Sequence, residues 1–362
     1  MTSLPQKSQL VRLESGNGVG LYELKSENFL NNYYIVSTPE SRRLMASPEV
    51  VGYDSYLAVR PATEKAIRYL QNISGIGSEA SILTILRGGL NYPVEECCHS
   101  TGIQVNNINF ISCERVIEHG AISGLDIRYE KFHIENDCTL MIGDIIATGD
   151  TLRYCMSRIA DDIKAEGGSL KNIIFFTIGG TRAISLLEEL TSRYRELWPG
   201  FQGIRCFFYE GIFSVYQDKG VTGVNFPDID FGWKDGVISP EFRSYIMDDA
   251  NALFEKCIIY DGGARRYEIP SHYHEVTEYW ETLRDAASTS SLKAFIEEKT
   301  GYRYPISYGD WLQKTRFIGT GKYEQLYEKE MEFIRNTLDR DLTEICDCRL
   351  NEFRNNMEKY NK

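Results

Sequence analysis

Residues 139–152 read TLMIGDIIATGDTL, and they restrict the choice of fold more than any other stretch of the chain. A short apolar run of strand length, Thr139 to Ile142, delivers one carboxylate, Asp144, to the strand's carboxyl end. Five residues, Ala147-Thr148-Gly149-Asp150-Thr151, then lead into a helix. That helix, Gly149 to Glu166, places Leu152, Met156, Ile159 and Ile163 on one face, and Gly167-Gly168 ends it. A strand passing through a short loop into an amphipathic helix is the unit of α/β folds.

The unit recurs on both sides. Upstream, Ser81 to Leu86 is an apolar strand that stops at Arg87-Gly88-Gly89, and Asn91 to His99 has helical character. Asn109 to Cys113 and Leu125 to Ile134 add two strands. Downstream, Ile173 to Ile178 is a β-branched and aromatic strand, Gly179-Gly180-Thr181 turns into the helix Arg182 to Trp198, and Ile204 to Tyr209 is the next strand. Repetition of this kind predicts a mostly parallel sheet flanked by helices, with ligands bound beyond the carboxyl ends of its strands. The strands near 81–86, 139–143 and 173–178 should then lie parallel, with 87–89 and 144–151 at one edge.

The ends of the chain read differently. Residues 1–60 have weak periodicity and form an N-terminal segment. Residues 61–240 hold the α/β pattern, although 211–240 reads as irregular. Residues 241–362 are mostly helical, with helices expected at 241–256, 272–286, 290–299 and 321–359.

The loop at 147–151 has a physical reason to hold phosphate. Amides at a helix start are unpaired and the helix dipole is positive there. Gly149 allows close backbone approach, and Thr148 and Thr151 add hydroxyls. Asp144 offers an acceptor for a ribose diol. The plainer alternative is a strand–turn–helix in which Thr148 or Asp150 serves only as an N-cap. Arg87-Gly88-Gly89 is a second anion candidate: glycines let amides face a pyrophosphate and Arg87 can neutralise its charge. Alternatively it is a glycine turn with a solvated arginine.

Composition narrows the function. The net charge of -12 opposes broad nonspecific binding to nucleic acid or anionic membrane. The N-terminus has no apolar core of a secretory signal and no apolar run approaches a membrane span, so a cytoplasmic location is expected. Nine cysteines, an odd number scattered through apolar stretches, read as buried thiols in a reducing compartment.

The 139–151 segment resembles the motif that binds 5-phosphoribosyl-1-pyrophosphate (PRPP) in type I phosphoribosyltransferases: four apolar residues, two acidic, two apolar, then Ala-Thr-Gly-x-Thr. Leu86-Arg87-Gly88-Gly89-Leu90 is similar to that family's pyrophosphate loop. The resemblance covers roughly residues 60–210. It implies an α/β, type I phosphoribosyltransferase-like parallel sheet with a variable hood and a mostly helical C-terminal appendage. It also implies transfer of phosphoribosyl from PRPP to a small nitrogenous acceptor. Ala147 to Thr151 would hold the 5-phosphate and Arg87, Gly88 and Gly89 the pyrophosphate. Asp144 would meet the ribose and lie nearest a magnesium ion, through the ribose or a water. Magnesium is the expected cofactor, and a homodimer is one expectation for assembly. The sequence departs from the motif at Gly143, where the first acidic residue is missing. Ala147 matches adenine and uracil enzymes rather than hypoxanthine-guanine ones.

Family members place a mobile loop where this chain has Glu114 to Gly124, with Arg115 and His119 as candidate contacts; an ordinary hairpin is the alternative. Base recognition would fall to Tyr209-Glu210-Gly211 or to residues 225–233, although those aromatics can equally be core. Gly319-Thr320-Gly321-Lys322 fails as a P-loop because Tyr323 replaces Ser/Thr. His272-Tyr273-His274 reads as a helix start rather than a metal site, and Cys346-x-Cys348 lacks a second pair. Gly179 to Arg182 is a secondary anion candidate. Arg265-Arg266 reads as a solvated basic pair. The competing function is a PRPP or nucleotide sensor without turnover, which Gly143 and the long appendage favour. A third reading is an interaction protein built on the C-terminal helices.

Overall fold

The structure is a computed structural model that describes residues 4–5, 7–118, 121–215, 231–255, 265–319 and 322–360. At its centre, β7 (Cys138–Gly143) pairs in parallel with β4 (Glu79–Leu86) and with β8 (Leu170–Gly180). β9 (Ile204–Val215) continues the parallel run beside β8, followed by β3 (Asn32–Ser37), while β5 (Gln104–Glu118) lies beyond β4. Both sides then turn antiparallel. β2 (Val19–Lys25) and β1 (Gln9–Gly16) extend past β3, β6 (Ala121–Lys131) folds back on β5, and β10 (Phe231–Ile238) pairs with the end of β9. The sheet is therefore mixed, not the mostly parallel one that the strand–helix pattern predicts. The three strands expected to lie parallel, β4, β7 and β8, do so and are adjacent.

The antiparallel additions have local causes. Asn17 and Gly18 take φ of 51° and 73°, the left-handed pair that a two-residue hairpin turn needs. Residues 114–118 and 121–124 form the two arms of a hairpin, so the described part of Glu114 to Gly124 is strand, in line with the hairpin alternative. His119 lies outside the described residues.

The central strands are covered on both faces. Consecutive residues Leu140, Met141 and Ile142, and again Phe175 and Phe176, are all buried, which requires packing above and below the sheet. α4 (Asp150–Ala165) contributes Leu152, Cys155, Met156, Ile159, Ala160 and Ile163, a stripe at helical spacing. It stops at Gly167, whose φ of 80° suits the residue after a helix cap. The remaining helices around the sheet are α1 (Pro39–Ala46), α2 (Tyr53–Asn72), α3 (Val94–Thr101) and α5 (Thr181–Leu197).

The C-terminal region is α6 (Pro240–Ile246), α7 (Ala250–Phe254), α8 (Ile269–Ala287), α9 (Leu292–Thr300), α10 (Tyr308–Thr315), α11 (Glu324–Leu338) and α12 (Leu342–Met357). Two expected helices are each divided, because Asp249 and Asp341 bond the backbone of Asn251 and Thr343 as N-caps of new helices. α10 has no counterpart among the expected helices. The 211–240 stretch, expected to be irregular, carries strand at both ends; residues 216–230 lie outside the described residues. No described helix is long and apolar enough to cross a membrane.

Two buried arginines bind this region to the rest. Arg243 of α6 donates to Glu330 of α11 at 2.9 Å and to the Tyr302 hydroxyl at 2.5 Å. The Trp233 ring of β10 lies against its guanidinium at 4.7 Å. Trp311 and Tyr304 donate to the same carboxylate at 3.0 and 3.2 Å. Arg266 is not solvated, contrary to the expectation for the basic pair. It is buried and donates to the carbonyls of Leu44, Ser47 and Val50 at the end of α1, at 2.8, 3.0 and 2.7 Å. Removing one partner of a buried ion pair strands the other charge. Glu330→Ala should therefore lower the unfolding free energy by about 3–5 kcal/mol, read from urea denaturation followed by tryptophan fluorescence.

Candidate functional site

Parallel pairing of Ser81, Ile82 and Leu83 with Leu140, Met141 and Ile142 aligns the ends of β4 and β7. Residues 87–89 and 144–151 consequently leave the sheet at the same edge. Gly179 and Gly180 at the end of β8 join them there. The amide of Asp144 donates to Phe176, that of Ile146 to Ile178, and that of Gly180 back to Ile146, at 3.1, 3.1 and 3.2 Å. The amide of Gly180 is thus engaged by Ile146, and its segment serves here as the strand-to-helix turn beside the loop.

The two loops pack directly on one another. A Cβ built on Gly143 would lie 2.5 Å from the Leu90 carbonyl oxygen and 2.9 Å from the Asn91 Cα. A Cβ on Gly88 would lie 3.2 Å from a carboxylate oxygen of Asp144. Gly143 therefore has a steric cause: the chain that follows Arg87-Gly88-Gly89 occupies the space where an acidic side chain would start. Asp144 is buried at this junction. The Leu86–Arg87 peptide is cis.

Gly149, with φ of 85°, is the N-cap of α4 and has no side chain with which to cap it. The simple cap by Thr148 or Asp150 is not what the helix uses. Thr148 and Thr151 are half-buried, Ala147 likewise, and Asp150 is exposed with its carboxylate 3.4 Å from Arg153. A Cβ on Gly149 would meet Leu186 of α5 at 2.8 Å, so glycine also lets the two helices close up. Behind the loop, the Cys155 thiol donates to the Cys113 sulfur at 3.4 Å. That bond, burial and the nearby Asp144 charge all push the Cys155 thiol up, so it stays protonated.

Arg87 is exposed, and its guanidinium donates to Glu268 at 2.6 Å. Glu268 is 181 residues away, and no local sequence pattern links the two. The base-recognition candidates divide. Tyr209 is buried with its hydroxyl 2.8 Å from that of Thr63, and Trp233 is buried on Arg243, so both are core. Glu210 is buried beneath α1, where it accepts from the Thr38 amide at 3.1 Å and from the Ser41 and Ser239 hydroxyls. Residues 225–230 lie outside the described residues. His272 is buried in the first turn of α8, bonded to the Pro48 carbonyl at 2.7 Å, and His274 is exposed beside Glu278. Among the described residues, no group of three or more His, Cys, Asp or Glu side chains is placed to hold a metal. A cavity of about 590 Å³ between Tyr304, Tyr327, Met331 and Leu338 includes none of the loop residues.

Neither a protein-family model nor a curated protein matches this chain. Among solved structures, a protein of Aquifex aeolicus aligns with 52% of this chain and 95% of its own, at 15% identity and a TM-score of 0.35. The hypoxanthine-guanine phosphoribosyltransferase of L. donovani aligns with 38% of this chain and 78% of its own, at 17% identity and a TM-score of 0.29. The purine phosphoribosyltransferase of Pyrococcus horikoshii Ot3 aligns with 36% of this chain and 74% of its own, at 18% identity and a TM-score of 0.26. Likenesses this partial leave the reading of the edge to rest on its own geometry.

Two outcomes follow from these contacts. Gly143→Ala must displace backbone, and overpacking of that kind costs about 1–3 kcal/mol; Gly200→Ala, which has open space around it, should change urea stability little. For Glu210, burial raises the carboxyl from 4.5 to about 7, opposed by its hydroxyl partners and Arg42. The folded state then holds a proton that the unfolded state releases. Its contribution is full below pH 4.5 and is lost as pH rises through about 7. Glu210→Gln should remove that part of the decline, measured by denaturation between pH 4 and 8.

Proposed function

We propose that the chain holds PRPP at this sheet edge and transfers its 5-phosphoribosyl group to a nitrogen nucleophile, with release of pyrophosphate. The observation that carries this reading is the packing of Leu90 on Gly143 and of Gly88 beside Asp144. It sets a loop that opens a helix and an arginine–glycine loop on either side of one buried carboxylate. In this reading the amides and hydroxyls of residues 148–151 take the 5-phosphate. Asp144 accepts from the ribose hydroxyls. Arg87 and the amides at Gly88 and Gly89 take the pyrophosphate.

The reaction then needs no nucleophilic side chain. The bond from ribose C1 to the pyrophosphate oxygen breaks, and its electron pair leaves with pyrophosphate. The acceptor nitrogen forms the new bond to C1 and loses its proton to solvent. The protein's part is to align the two reactants, stabilise the leaving charge and exclude water. Magnesium fits the donor set, since it binds through one or two carboxylates together with substrate phosphates and water. Asp144 is the residue that would hold it, directly or through a water, and the ion would neutralise the departing charge. Ala147 favours a nucleobase of the adenine or uracil kind over hypoxanthine or guanine.

One observation favours a second reading, a PRPP or nucleotide sensor. Gly143 has no room for the first carboxylate of the motif, which reduces the grip available for turnover. Calorimetry with PRPP and magnesium, followed by pyrophosphate release with a panel of nucleobases, separates the readings. Binding with turnover supports the transferase, binding without turnover the sensor, and failure to bind overturns both. Within the transferase reading, Thr151→Val and Asp144→Asn should each weaken PRPP and the nucleoside 5-monophosphate product alike. Arg87→Ala should reduce PRPP affinity and single-turnover rate but leave the product, which lacks pyrophosphate, unaffected. Losing a charge-assisted hydrogen bond is worth roughly 1.5–3 kcal/mol, or about tenfold to a hundredfold in affinity.

A further inference from the structure

Residues 265–268 reach the sheet edge from far along the chain, and they are anchored before they arrive. Arg266 is held by the three carbonyls at the end of α1, and its own carbonyl accepts the Gly52 amide at 2.8 Å. Tyr267 packs edge-on against Tyr92, two residues past Leu90, with ring centroids 4.9 Å apart. Glu268 is thereby presented to the arginine–glycine loop. One of its carboxylate oxygens accepts from Arg87 at 2.6 Å, and the other accepts from Arg265. Arg265 also faces Glu275, at 3.1 Å.

A carboxylate bridging two guanidiniums occupies a place that suits any anion with two neighbouring oxygens. We infer that Arg265 is a second cationic residue of the pyrophosphate site, and that Glu268 is its resident carboxylate, displaced when a pyrophosphate-bearing ligand binds. The inference rests on the PRPP reading above and adds to it a residue pair from the C-terminal region. Three features support displacement. Glu268 sits at the N-cap of α8 yet makes no side-chain cap bond, so the helix does not hold its side chain in place. Its side chain is 34% exposed and that of Arg87 60% exposed, so the pair is solvated and weak. Pyrophosphate carries more charge and more acceptor oxygens than one carboxylate, so it competes well for two arginines. A ligand with only a 5-phosphate binds at the other loop and does not meet Glu268. The C-terminal region thus sets the threshold for pyrophosphate-bearing ligands and leaves monophosphates alone.

The test is calorimetry on the full chain with three ligands: PRPP with magnesium, magnesium pyrophosphate and a nucleoside 5-monophosphate. Thermal melts confirm folding of each variant. Glu268→Gln should tighten PRPP and pyrophosphate roughly two- to fivefold, and Arg265→Ala should weaken them by a similar factor, given the modest strength of solvated pairs. Arg265→Lys should recover part of the loss, and monophosphate affinity should be the same in all four proteins. If wild type binds PRPP and the Glu268 and Arg265 variants match it, the inference fails while the PRPP reading stands. The inference fails equally if Glu268→Gln weakens pyrophosphate, because the carboxylate would then be a support and not a competitor. If neither wild type nor Glu268→Gln binds PRPP or pyrophosphate, the PRPP reading fails and takes this inference with it.

Discussion

The contact of the Leu90 backbone with Gly143 determines how the sheet edge is built. Only a residue without a Cβ lets the chain after β4 cross so close to the end of β7. With that crossing made, Asp144 is enclosed between the two loops and Gly88 is brought against its carboxylate. The loop at 147–151 then leaves from a fixed point, because Ile146 is bonded to the end of β8 on both its amide and its carbonyl. Three parallel strands, each ending near glycine, therefore supply one continuous edge rather than three separate turns.

The readable part of the sequence is the part whose signals are local. Between residues 79 and 209, apolar runs of strand length, helical spacing and glycine stops are local signals, and β4, β7, α4, β8 and α5 stand where they predict, whereas β5 and β6 run well into the stretch between Asn109 and Leu125. Where structure depends on distant partners, the sequence is silent. β3 acquires its place from β9, and β1 and β2 follow β3. The Asn17-Gly18 turn is a legible hairpin signal in that segment, but the flanking residues lack the alternation that would confirm it. Tyr209 and Trp233 look like base-stacking rings in sequence because an aromatic gives no sign of which way it points; both face inward. The pairing of Arg87 with Glu268 has no sequence signature at all.

The C-terminal region is joined to the sheet by charge placed where water is excluded. Arg243 has a carboxylate, a phenol and aromatic faces around it. Arg266 is held by backbone carbonyls left over at the end of α1. Such contacts are poor sources of stability but strict about geometry, since a guanidinium offers donors in one plane. They place α6, α11 and the start of α8 at defined positions, and through residue 268 they extend that order to the arginine–glycine loop.

The position of β3 has a consequence for the growing chain on the ribosome. Its parallel partner is β9, which begins at Ile204, and the carbonyls left over at the end of α1 are met by Arg266. At roughly 5–20 residues per second, the stretch between Ser37 and Ile204 takes about 8–35 seconds to synthesise. Until Ile204 has been made, β3 has no partner along the edge that β9 covers in the fold. Enclosure of β3 is therefore a late, long-range step, and pairing between strands so far apart in sequence is intrinsically slow.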